Sequence, residues 1–163
     1  MSLSIEQLRM ELQPYVADAA AILMAQCPWV EFTSARRDWF SQAHAMAVNV
    51  LNARQDGNWN WLAQVYRKEP TLQEWVNDHP EVVTRQEMTE GLYRTMQALP
   101  DDLKVRFAHP AGRAFDLLPP DTTDHDQELI RRVKVLPKLQ RFLTSEGGLR
   151  IYHAQFVPLT EVV

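Results

Sequence analysis

Cysteine, glycine and long apolar runs are all scarce in this sequence, and each scarcity narrows what the chain can be. Cys27 is the sole cysteine, so no intramolecular disulfide forms and the fold rests on packing and hydrogen bonds. Five glycines leave no G-x-G-x-x-G and no P-loop, and G-x-S-x-G is missing as well. That sets aside phosphate-cradling loops and the nucleophile elbow. The longest uninterrupted apolar stretch, Ala19–Ala25, is far short of the ~20 residues that cross a bilayer. Met1–Leu12 is polar, carries Glu6 and Glu11, and lacks the basic-then-apolar order of a secretory signal, so a cytoplasmic location is expected. The histidines, at 44, 79, 109, 125 and 153, are scattered, with no H-x-x-x-H or C-x-x-C spacing. On that basis no metal, haem or other cofactor is expected.

What is present is ordinary for a globular chain: 45% hydrophobic and 23% charged residues among 163. The net charge of −4 excludes a generally cationic surface. Its distribution is uneven. Acids exceed bases from Met1 to Phe32 and from Thr71 to Leu99, whereas Arg131–Arg150 holds six bases against the single acid Glu146.

Ten prolines punctuate the chain, and the segments between them read as short helices. Ser4 and Gln7 form a capping-box pattern, and Pro14 suits a first helical turn, giving helices at about 4–13 and 14–27. Thr33 or Ser34 caps a longer helix at about 34–55, with Trp39, Ala43, Met46, Ala47, Val50 and Leu51 as its apolar stripe. Further helices follow at about 58–68, 71–78, 84–98 and 101–108, two of them opened by the boxes Thr71/Glu74 and Thr84/Glu87. Residues 110–123 are rich in proline and polar residues and form a connection, with a short strand at 114–118. Asp124 opens a basic helix that Pro137 kinks and that runs to about Ser145; Leu149–Val157 is rich in strand formers. The expected fold is therefore mainly α: an irregular bundle of six to eight short helices with one short C-terminal strand, paired at most with 114–118 in a two-stranded ribbon. Its parts are a helical region 1–109, the connection 110–123, and a basic helix plus strand in 124–163, all on one core.

Three constellations suggest function. Trp59 and Trp61 stand two residues apart, about 200° around a helix, and cannot both enter one core. With Trp75 they offer surplus aromatic surface, and Ile151, Tyr152 and Phe156 lie on a strand that needs a partner, so a protein partner or a second copy of the chain is expected at both places. The leading expectation is accordingly a non-enzymatic adaptor or assembly subunit. The second is a small nucleic-acid-binding subunit: Arg131, Lys134, Lys138 and Arg141 follow a 3, 4, 3 spacing that makes one basic helical ridge. The third is a helical ribonuclease. The R-x₆-H spacing of Arg37 and His44 loosely resembles that of HEPN-type ribonucleases, which would put the two on one helix face, Arg37 stabilising phosphate charge and His44 moving a proton.

Overall fold

The computed structural model describes residues 1–67, 70–145 and 150–159. The chain divides into two compact units. One comprises residues 1–36 and 107–163, and the other, Arg37–Arg106, is inserted between those two segments.

The first unit begins with α1 (Ile5–Glu11) and α2 (Pro14–Gln26). Ser4 accepts from the Gln7 amide while Gln7 bonds back to the Ser4 amide, which is the capping box read from sequence. After β1 (Phe32–Ser34) and the inserted unit come β2 (Ala114–Leu117), α8 (Thr123–Lys134), β3 (Leu139–Leu143) and β4 (Tyr152–Phe156). The strands form an antiparallel sheet in the order β1-β2-β4-β3. Because β2 and β3 both run antiparallel to β4, they are parallel to each other, and α8 is the crossover between them. Phe32, Phe115, Leu117, Tyr152, Ala154 and Phe156 share the core with Leu8, Val16, Ala20 and Leu23 of α1 and α2 and with Leu129 and Val133 of α8. Successive strand residues point to opposite faces, so the alternate positions Asp116 and His153 stand on the other side of the sheet.

This overturns the expected helical bundle with a lone terminal strand. Among the described residues there are eight helices and a four-stranded sheet. The basic helix is shorter than the spacing predicts: α8 stops at Lys134, and the chain past Pro137 turns into β3. Proline disfavours α geometry in the residue before it, and Lys138 takes φ 61°, a left-handed conformation that no α-helix continues through. β4 has neighbours on both sides, β2 and β3, so the strand expected to seek an external partner is an interior one. No helix among the described residues is long and apolar enough to cross a membrane.

Cys27 ends α2 with no exposed surface. Burial, with Glu128 nearby, pushes its thiol above the usual range. Iodoacetamide at pH 8 is therefore expected to leave Cys27 unmodified in the native protein and to label it stoichiometrically in urea, followed by intact mass. Rapid labelling of the native protein would contradict this packing.

The inserted unit is helical: α3 (Trp39–Gln55), α4 (Trp61–Val65), α5 (Thr71–Asp78), α6 (Arg85–Ala98) and α7 (Asp101–Lys104). Its interior holds Met46, Val50, Leu62, Leu72, Val76, Met88, Leu92 and Met96. Asp38 caps α3 by accepting from the Ser41 amide at 2.7 Å, and Thr84 caps α6. Arg54, near the end of α3, donates to the carbonyls of Val76 at 2.9 Å and Val82 at 2.7 Å. A guanidinium thereby satisfies carbonyls at and beyond the C-terminal end of α5, where a helix favours positive charge.

Candidate functional site

Two places stand out, one in each unit. The first is the side of the sheet opposite the core. Asp116 lies directly across from His153 in the β2–β4 register, and Ser34 of β1 is in register beside Asp116. His109 comes from the segment just before β2. A tight turn holds that segment: Gly112 N–H donates to the His109 carbonyl at 3.0 Å and Arg113 N–H to the Ala108 carbonyl at 2.8 Å. Gly112 has φ 69°, and a Cβ there would sit 3.0 Å from the Glu11 carbonyl oxygen, so the turn needs glycine for both conformation and approach. The Gln13 amide then bonds the Gly112 carbonyl at 2.9 Å, tying the turn to the start of α2.

The result is a buried cluster. His109, Asp116 and His153 are 4%, 3% and 9% exposed. Asp116 Oδ1 lies 2.8 Å from His153 Nδ1 and 3.3 Å from His109 Nε2, and the two imidazole nitrogens are 3.2 Å apart. His109 Nδ1 is 2.5 Å from the Ala35 carbonyl. Burial by itself would push the Asp116 carboxyl up; the hydrogen bonds from His109 and His153, and the charge those rings carry when protonated, instead hold it well below the usual carboxylate range. The order of groups is not that of a serine-hydrolase triad. There the imidazole lies between hydroxyl and carboxylate, whereas here Asp116 lies between Ser34 and His153 in the strand register.

Sequence spacing could not reveal this cluster, because His153 lies far along the chain from His109 and Asp116 and joins them only through strand pairing. Against the expectation of no metal site, they are the His/Cys/Asp/Glu group among the described residues whose donor atoms converge, all within 4.8 Å of one another. One local signal was available. Asp116 interrupts the apolar run Ala114–Leu118, and a carboxylate buried in a strand requires a partner.

The second place is the turn Gly57–Asn60 of the helical unit. Trp61 opens α4, is 8% exposed and enters the core, while Trp59 is 48% exposed and lies in the turn before the helix, so the two do not occupy opposite faces of one helix as their two-residue spacing predicts. Trp59 is held in place despite its exposure. The Arg54 guanidinium stacks on its ring at 4.6 Å, and Gln73 Nε2 donates to its carbonyl at 2.8 Å. Phe40 is also half-exposed and meets Tyr93 edge-on, with ring centroids 5.5 Å apart.

The other residues singled out by sequence are placed as follows. Trp75 is half-buried, stacked on His79 at 4.5 Å and packed over Gly91. Ile151 precedes β4 and is half-buried, and Tyr152 and Phe156 are core, so none of the three offers a free strand edge. The basic ridge is not one helical face. Arg131 pairs with Glu128 within α8 and Lys134 ends that helix; Lys138 sits in the left-handed turn with its ammonium 5.0 Å from the Tyr15 ring, and Arg141 belongs to β3. Arg37 precedes the cap residue of α3, so it and the exposed His44 do not share successive turns of one helix as the R-x₆-H pattern required. Comparison with protein-family models, curated proteins and solved structures gives no match.

Proposed function

We propose that this chain is a binding subunit that uses the Trp59 surface of its helical unit to dock a protein partner. The observation that supports this is an indole half in solvent yet fixed on two sides, by the Arg54 guanidinium and by the Gln73 bond to its backbone. Trp and Arg are the residue types most enriched among interface hot spots, and an anchor already held in place loses little freedom on binding. The turn that carries the indole is itself held, Asn58 donating to Gln64 at 2.9 Å and accepting from the Asn60 amide at 3.2 Å.

A photo-reactive residue introduced at position 59 is expected to cross-link one discrete partner in cells, and the same residue at position 131 is not. Trp59→Ala should weaken the complex by about 30- to 1000-fold, a loss typical of an interface anchor. Unfolding stability should fall by about 1–3 kcal/mol, since the covered half of the indole and its stack on Arg54 are lost, and the fold should persist. Equal cross-linking from both positions, or undiminished affinity in Trp59→Ala, would contradict the assignment.

A further inference from the structure

The His109–Asp116–His153 cluster has no part in that docking, and its geometry calls for something more. A backbone carbonyl can only accept, so His109 Nδ1 carries a hydrogen and donates to Ala35. In the neutral ring this leaves the lone pair on Nε2. That lone pair faces Asp116 Oδ1 at 3.3 Å, an atom that also carries only lone pairs when ionised. His153 Nδ1 faces both, so what joins them is either the hydrogen on that nitrogen or a metal ion. His153 Nδ1 completes a triangle of donor atoms with sides 2.8, 3.2 and 3.3 Å.

Those sides can be compared with coordination geometry. At metal–ligand bonds of about 2.0–2.2 Å, ligand atoms lie about 3.3–3.6 Å apart around a tetrahedral ion and about 2.8–3.1 Å apart on one face of an octahedron. The observed triangle spans both values, so one ion can bond all three atoms with small side-chain shifts. The carbonyl of Ala35 does for His109 what outer partners do for metal-bound histidines generally: it fixes the tautomer and aims Nε2. Asp116 and His153 sit on adjacent paired strands, which holds the rest of the triangle rigid.

We propose that His109 Nε2, His153 Nδ1 and Asp116 Oδ1 bind one divalent transition ion of the zinc or ferrous class. Two imidazoles and one carboxylate suit such borderline ions and disfavour magnesium and calcium, which take oxygen ligands. With three protein ligands at least one coordination position is left to water or another small ligand.

The test uses full-length, chelator-treated protein and the chlorides of zinc, cobalt, magnesium and calcium. Zinc and cobalt are expected to bind at one equivalent, while magnesium and calcium do not bind. Zinc should move the ¹⁵N resonances of His109 Nε2 and His153 Nδ1 in the wild-type protein and leave those of His44, His79 and His125 in place. His153→Ala should weaken zinc by about 10- to 100-fold or more, at least the cost of losing an outer partner. Protection of Cys27 from alkylation reports whether that variant is folded, and the wild-type ¹⁵N shifts decide the matter if it is not. Absence of binding at 1 mM zinc chloride, in roughly tenfold excess over protein, would mean that the hydrogen on His153 Nδ1 joins the two atoms, and would overturn the proposal. So would zinc that binds while the His109 and His153 resonances stay still.

Discussion

Asp116→Ala in the metal-free protein is expected to lower stability by about 1–3 kcal/mol, because it removes the acceptor that the buried His153 Nδ1 meets at 2.8 Å and leaves a buried polar group unpaired. The loss should depend on pH in a defined direction. The native carboxyl titrates below its unfolded value of about 3.9, so its contribution is complete above that pH and drains away as pH falls toward the native value. Urea midpoints of wild type and variant should therefore lie widely apart at pH 7 and approach each other below about pH 4. A difference that persisted undiminished below about pH 4 would show a carboxyl titrating above its ordinary range, the opposite electrostatic situation. It would mean that burial outweighs the two hydrogen bonds.

Gly91→Ala is expected to destabilise the helical unit by about 1–3 kcal/mol, even though alanine is the better helix former by roughly 1 kcal/mol. Gly91 is in the interior of α6, and a Cβ there would lie 2.0 Å from two atoms of the Trp75 indole. The ring cannot retreat without leaving its stack on His79. The sign should reverse when the indole is absent: in a Trp75→Ala background, Gly91→Ala should stabilise by the ordinary helix preference. Thermal unfolding of the four proteins closes that double-mutant cycle. Equal effects in both backgrounds would show that the glycine is set by something other than the tryptophan. This pairing also explains why Trp75 is not available as open partner surface, as its sequence neighbourhood suggested.

The parts of the fold that sequence made legible are those governed by local chemistry. The boundaries of α5 and α6 follow from their prolines and from the Thr84 cap, and the Ser4/Gln7 box forms as read. The sheet was harder to see because its information is non-local. β1 is three residues long and pairs with β2 only after a whole helical unit has intervened. β3 carries leucines at 139 and 143 that continue the helical spacing of Leu129, Val133 and Leu136, so periodicity alone assigned it to the helix. What decides against that assignment is Pro137 together with the left-handed Lys138. The different burial of Trp59 and Trp61 does not follow from helical spacing, because Trp59 lies in the turn before α4 and only Trp61 is on the helix; it depends on where that turn ends and how α4 packs, which spacing does not encode.

The buried cluster shows the same limit. His109 and Asp116 were separately visible as polar residues beside apolar ones, but His153 joins them through a strand register that no local spacing encodes. Sequence patterns find metal sites built on one helix or one loop; three ligands gathered from a turn and two strands escape them.

Native mass spectrometry of the protein purified gently from its own host at low salt tests the central claim most directly, with Trp59→Ala prepared in parallel. The expected spectrum is a discrete heteromeric mass for the wild type and the bare 18.9 kDa chain for the variant. A wild type that flies only as the 18.9 kDa chain, or a complex that survives unchanged in Trp59→Ala, would contradict the assignment of that surface to a protein partner.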